Sequence, residues 1–261
     1  MSQRIGIIPG DGIGRDVVAE VVPVLKALGG LELEQLPWGA DYYLQTGVTI
    51  PPDGYDTLRS FDAVFIGALG DPRVPDNRHA RDVLLGTRFE LDLYVNYRPV
   101  RLLDDRLCPL KDRGRRDVNF VVFRENTEGL YVGAGGRLRA GTEEEVAIQH
   151  EVNTYRGVHR IVRHAFEFAK ARGLRKVCMA DKSNAMAHGH ALWQRIFKEL
   201  TPDYPGIEAT HLYIDALGRA DDARRIEQAV EAAVHAGEGT RDIGGLLGTR
   251  EAGAAILRRL T

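Results

Sequence analysis

The chain is predicted to fold as an α/β protein with a largely parallel sheet, and three observations predict it. Short apolar runs close on glycine or Pro-Gly, as in Ile5-Gly6-Ile7-Ile8 before Pro9-Gly10 and Ala63-Val64-Phe65-Ile66 before Gly67, which is the pattern of buried strands. Segments with helical apolar spacing alternate with these runs, the arrangement that builds parallel sheets. The composition, 44% hydrophobic and 28% charged over 261 residues, is that of a globular chain with enough material for one large domain or two smaller ones.

Taken in order, the first strand ends at Pro9-Gly10, and a helix follows in which Val17, Val18, Val21, Val22, Leu25 and Leu28 recur at helical spacing until Gly29-Gly30 stops it. Residues 31–36 alternate apolar and acidic side chains, a half-exposed strand, and residues 63–66 form another buried strand. Residues 93–100 and 118–123 read as strands, the first carrying Arg98 and the second leading into Arg124. The Gly- and Arg-rich stretch 133–141 reads as a hairpin or arm. A helix over 155–171 buries Val158, Ile161, Val162, Ala165, Phe166 and Ala169; a strand at 176–180, a helix at 192–200, a strand at 209–214 and helices at 224–236 and 250–260 complete the order.

The formal net charge of −2 gives no electrostatic reason to expect a nucleic acid or an anionic membrane surface as partner. The basic cluster 111–116 lies in a polar stretch and reads as a solvated loop. Cys108 and Cys178 form no C-x-x-C pair and read as reduced thiols of a cytoplasmic protein. No signal peptide is expected before the first strand, and no apolar run is long enough to span a bilayer.

Pro9-Gly10-Asp11-Gly12-Ile13-Gly14 lies between the first strand and the first helix, where a phosphate-binding turn would lie. Its spacing is G-x-G-x-G, not G-x-G-x-x-G, and Asp11 is expected to repel a pyrophosphate. A tight turn that needs glycines for positive φ is the plainer reading. Further on, Arg124-Glu125-Asn126-Thr127-Glu128-Gly129-Leu130-Tyr131 places an arginine and a tyrosine seven residues apart, and Asp181-Lys182-Ser183-Asn184 places a lysine beside an aspartate after an apolar run. An anion-binding arginine, a proton-donating tyrosine and a lysine base suit chemistry on a small hydroxy acid; guanidinium binds carboxylate in a bidentate fork, and lysine serves as a base where burial or nearby cations lower its pKa.

Residues 124–131, with Gly10-Asp11-Gly12-Ile13-Gly14, Asn96-Tyr97-Arg98-Pro99-Val100 and Gly248-Thr249-Arg250-Glu251, resemble the isocitrate/isopropylmalate dehydrogenase family. The resemblance implies a two-domain isopropylmalate dehydrogenase-like fold with parallel and mixed sheets. It implies that Arg88, Arg98 and Arg124 grip the carboxylates of a malate core, that Lys182 takes the hydroxyl proton, and that Tyr131 supplies a proton after CO2 leaves. It places Asn184 on substrate or nicotinamide, Gly12, Ile13 and Gly14 beside NAD, and Asp215 on Mg2+ or Mn2+ acting as a Lewis acid. It also implies dimers with shared sites, each chain lending its lysine and first aspartate to a neighbour.

Leu84 and Leu85, before Arg88, favour an alkyl group on C3 and hence 3-isopropylmalate. Against this, Arg81 stands where the isopropylmalate branch usually carries a glutamate, and Arg124-Glu125-Asn126-Thr127-Glu128-Gly129 and Lys182-Ser183-Asn184 look more like the isocitrate and tartrate/malate branches. After about residue 217 a long family segment is missing, including the other metal aspartates and the adenosine-binding loop; the fold is therefore expected to be truncated in the cofactor domain. The expected division is 1–97 with 218–261 on the cofactor side and 98–217 as the substrate and dimerisation domain. Missing core strands should leave apolar surface exposed. The alternative to a working enzyme is a catalytically inactive subunit, or decayed copy, that pairs with a complete homologue.

Overall fold

The computed structural model describes residues 2–213, 220–241 and 244–260. Their packing divides into two compact units, residues 1–175 with 192–207 and residues 176–191 with 208–261. The sequence-expected boundary at 97/98 lies within the strand Val95–Arg101.

The first unit opens with a three-stranded parallel sheet in the order β2-β1-β3, where β1 is Gln3–Ile8, β2 Leu31–Gln35 and β3 Ala63–Ile66. Helix α1, Ile13–Leu28, follows β1, and Gly29 ends it with φ 71°, a conformation that glycine adopts without a Cβ clash. Two short helices not read from the sequence, α2 (Ala40–Thr46) and α3 (Gly54–Arg59), follow β2, and Leu58 of α3 packs into the core. Ile8, Leu36, Trp38, Leu58, Phe61 and Val83 form the buried cluster there. Of the apolar stripe expected on α1, Val18 is buried and Val21, Val22 and Leu25 are half-buried. Val17, Val24 and Leu28 are exposed, as is Ile13 at the start of the helix. At 100° per residue these four lie within about 60° of one another, a second apolar stripe without cover.

Residues 78–90 form one helical stretch: α4 (Arg78–Arg81), a wider π-helical turn (Asp82–Gly86) and α5 (Thr87–Glu90). Gly86 is required there because a Cβ would overlap the Tyr55 hydroxyl, which donates to the Asp82 carbonyl at 3.1 Å.

The antiparallel ribbon β4 (Val95–Arg101) and β5 (Asn119–Glu125) is followed by a second one, β6 (Gly135–Leu138) with β7 (Val146–Gln149). The stretch expected to be a hairpin or arm thus carries the first strand of an antiparallel ribbon whose second strand begins eight residues later. Helix α6 (Tyr155–Ala171) starts at Thr154, whose Oγ1 accepts from the Gly157 amide at 3.0 Å. Its predicted stripe is buried at Val158, Ile161, Val162, Phe166 and Ala169. Phe166 stacks on Tyr204 at 4.8 Å and meets Phe197 at 5.3 Å.

The second unit contains the parallel pair β8 (Lys176–Asp181) and β9 (Glu208–Tyr213), with helices α8 (Ala220–His235) and α9 (Thr249–Leu260). Helix α7 (Gly189–Leu200) begins in this unit and continues into the first. Ala229 and Ala233 of α8 and Ala252 and Ala255 of α9 are buried, the small residues that let two packed helices approach closely. Ile214 and Asp215, expected at the end of the strand, lie outside the described residues.

Candidate active site

Register builds the first half of the site. In the β4–β5 ribbon Asn96 pairs with Arg124, and Arg98 stands two residues beyond Asn96, so all three share one face. The opposite face carries Tyr97 and Phe123, which pack on α6: Phe123 meets Phe168 at 5.0 Å and His164 at 5.1 Å, and Tyr97 meets Phe168 at 5.8 Å. The aromatic face therefore fixes which way the arginines project. Arg98 Nε donates to Asn96 Oδ1 at 2.8 Å, and Asn96 Nδ2 donates to Asn126 Oδ1 at 3.0 Å.

Arg88 joins them from α5. Burial, and after it the positive charges of Arg124 and Arg98, pull its guanidinium below the usual arginine range. Tyr131 closes the group: the Arg124 guanidinium lies 4.7 Å over its ring. Hydrogen bonding and charge from Arg124, with smaller contributions from Arg88 and Arg98, hold the phenol below its ordinary value. Among the described residues none of the three guanidinium groups is paired with a carboxylate. Three guanidinium groups without a carboxylate partner thus stand near one phenol whose pKa they lower. Leu84 and Leu85, half-buried in the π-helical turn, stand three to four residues before Arg88.

A buried scaffold holds the turn between Arg124 and Tyr131. Glu125 accepts from the Thr127 and Glu128 amides at 2.8 and 2.6 Å and from Arg160 at 3.1 Å. Arg160 also makes two bonds to Asp92, at 2.8 and 2.9 Å, and lies 4.4 Å over Tyr94. Sequence reading missed Arg160, because a lone arginine on a helix carries no sign of being enclosed.

Lys182 and Asn184 belong to the second unit. Asp181 is buried at the end of β8, where its carboxylate accepts from the Ser183 amide at 2.9 Å and Ser183 Oγ at 2.8 Å and pairs with His211 at 3.0 Å. Burial opposes ionisation, yet Ser183 and His211 outweigh it and hold the carboxyl below the ordinary range. The Lys182 amide donates to His190 Nδ1 at 2.7 Å, so the turn carrying Lys182 is fixed from both sides.

The Gly-rich turn corrects one expectation. Asp11 does not face a ligand: it is 2% exposed, and its carboxylate accepts from the Ala40 amide at 2.7 Å and the Gly70 amide at 3.0 Å and meets His79 Nε2 at 2.8 Å. Gly10 and Gly14 are glycines because a Cβ at either would overlap the Ala68 carbonyl. Gly12, at φ 47°, has open space around its Cβ position, and Ile13 is 66% exposed. With Asp11 turned inward, no carboxylate from this turn faces the exposed start of α1 at Gly12 and Ile13. Among the described residues no group of three or more His, Cys, Asp or Glu could hold a metal ion, and Asp215 lies outside them.

The family model for isocitrate/isopropylmalate dehydrogenases matches residues 4–218. The chain belongs to the isocitrate/isopropylmalate dehydrogenase family. It is 42% identical over 219 residues to 3-isopropylmalate dehydrogenase of Streptomyces coelicolor, covering 82% of this chain and 62% of that protein. It is 43% identical over 223 residues to the decarboxylating D-malate dehydrogenase of Escherichia coli K12, covering 83% and 62%. The chain thus spans about 62% of the length of these dehydrogenase relatives. The crystal structure of isocitrate dehydrogenase from Methylococcus capsulatus shares the fold, with a TM-score of 0.73 at 24% identity over 99% of both chains.

Proposed function

We propose that the chain acts in NAD- and divalent-metal-dependent oxidative decarboxylation of a 3-substituted malate, with 3-isopropylmalate preferred, in the cytoplasm. The observation that carries this reading is the convergence of Arg88, Arg98 and Arg124 on Tyr131. The guanidinium groups bind and orient the two carboxylates of the malate core. Tyr131, acidified by Arg124, donates its proton to the carbon that has lost CO2. Lys182 takes the C2 hydroxyl proton, with Asn184 beside it; Gly12, Ile13 and Gly14 would hold NAD, which would supply the hydride acceptor. A divalent cation with Asp215 among its ligands would supply Lewis-acid polarisation of the hydroxyl and carboxylate oxygens. The half-buried Leu84 and Leu85 favour the isopropyl group over the third carboxylate of isocitrate or the hydroxyl of tartrate. The domain assignment 1–97 with 218–261 and 98–217 belongs to the same proposal.

The proposed assembly is a homodimer, or a heterodimer with a longer homologue, in which Lys182 and Asp215 serve the neighbouring site. The β6–β7 ribbon supports it: Leu138, Val146 and Ile148 share one face and all three are exposed. A second reading, a subunit without turnover that pairs with a complete dehydrogenase, is favoured by the chain's length relative to its relatives. NADH formation from 3-isopropylmalate, D-malate, tartrate and isocitrate with Mg2+ or Mn2+, on a chain of verified mass, separates the two. Metal-dependent turnover supports the enzyme; its absence in the chain alone, with turnover on adding a longer homologue, supports the subunit.

A further inference from the structure

We propose that His79 is a positioning residue: its hydrogen bond to Asp11 locks the Gly-rich turn to the helical stretch that carries Leu84, Leu85 and Arg88. The proposal rests on the carboxylate-binding reading of the arginine group. Both side chains are fully enclosed, at 0% exposure, and Nε2 to Oδ2 is 2.8 Å. The Asp11 carboxyl oxygens already accept from two backbone amides, and in this pair they accept from His79 Nε2 as well. Asp11 also binds the amides of Ala40 and Gly70, which places four segments on one carboxylate: the β1–α1 turn, the start of α2, the crossing after β3, and α4. Gly39 leaves room for that carboxylate, since a Cβ there would lie 2.7 Å from Oδ1.

The lock is the upstream anchor of the 78–90 stretch. Downstream, Thr49 Oγ1 donates to Asp82 at 2.8 Å and Tyr55 to the Asp82 carbonyl. These anchors at 79 and 82, with Val83 buried in the core, hold the π-helical turn that carries Leu84 and Leu85 and leads to Arg88. Nothing else in this stretch is buried and polar enough to set it: Thr87 is enclosed, but its hydroxyl finds no partner. The Gly10–Gly14 turn and the first arginine are thereby held in register through one pair of side chains that touches neither ligand.

The test compares wild type with His79→Leu, which removes the donor, and His79→Gln, whose amide nitrogen restores it at the Nε2 position. Two readouts are taken: hydrogen exchange of the segments holding the Asp11, Ala40 and Gly70 amides, and calorimetric titration with malate. His79→Leu is expected to speed exchange in those segments, to leave the β4–β5 ribbon unchanged, and to weaken malate binding about tenfold; His79→Gln is expected to restore both. Faster exchange with malate affinity kept within about twofold of wild type would overturn the proposal and leave His79 a packing residue. If His79→Leu does not fold, His79→Asn, whose shorter amide falls short of Asp11, takes its place with the same expectations. A wild-type chain that binds no malate would sink the carboxylate reading, and the positioning role with it. Exchange would then still report whether the lock exists.

Discussion

At the scale of single residues, charge is the organising quantity. Arg124 lowers the pKa of Tyr131, so the phenol loses its proton at lower pH than a free tyrosine. The sign follows for function: proton donation is available below that pKa and is lost as pH rises through it. Arg124→Gln should move the Tyr131 transition up toward about 10, measured as the phenolate absorbance that Tyr131→Phe removes. An unmoved transition would show that Arg124 does not tune the phenol. A lowered tyrosine pKa adds stability only where the phenolate forms, so neutral-pH stability should be unaffected through this group. Arg160 works differently. Its partner Glu125 is buried, and truncating the arginine leaves that charge short of a donor. Arg160→Met should cost about 3 kcal/mol of folding stability, read by chemical denaturation; a cost near zero would mean that the backbone amides alone satisfy Glu125.

At the scale of elements, close approach and register decide what the chain builds. Gly12 and Gly14 look alike in the sequence and differ in the fold. Gly12→Ala meets no neighbouring atom, yet φ 47° with ψ −123° strains an L residue and should cost about 1–3 kcal/mol. Gly14→Ala drives a methyl into the Ala68 carbonyl and should cost about 2–3 kcal/mol. An unchanged melting temperature for Gly14→Ala would contradict the packing described there. The strands were legible because their apolar runs stop at glycine, and the α6 stripe because its period repeats over a 17-residue helix. Helices α2 and α3 were not, since seven and six residues hold too few turns for a stripe to show. The motif at 124–131 was legible by resemblance, but its meeting with Arg98 depends on Asn96 lying opposite Arg124, which spacing alone leaves open. The Asp11–His79 bond joins residues 68 apart and left no mark in the local pattern.

At the scale of the whole molecule, the described residues include an exposed apolar stripe: Ile13, Val17, Val24 and Leu28 line one side of α1. Substituting Val17 and Val24 by lysine should leave the melting temperature close to wild type and lower self-association in light scattering. A large loss of stability would place those side chains in a covered interface. Leu138→Glu with Ile148→Lys should instead shift a dimer toward monomer in sedimentation, if the β6–β7 ribbon joins two copies. The order in which the chain visits its two units has a separate consequence. Phe166 is closed over by Phe197 and Tyr204, which arrive only after the polypeptide has left for β8 and returned. On the ribosome, therefore, the first unit stays unsealed until residue 207 has emerged, and during that interval a nascent chain presents an open aromatic seam to chaperones. No single cut of the polypeptide separates the two units without leaving one of them incomplete.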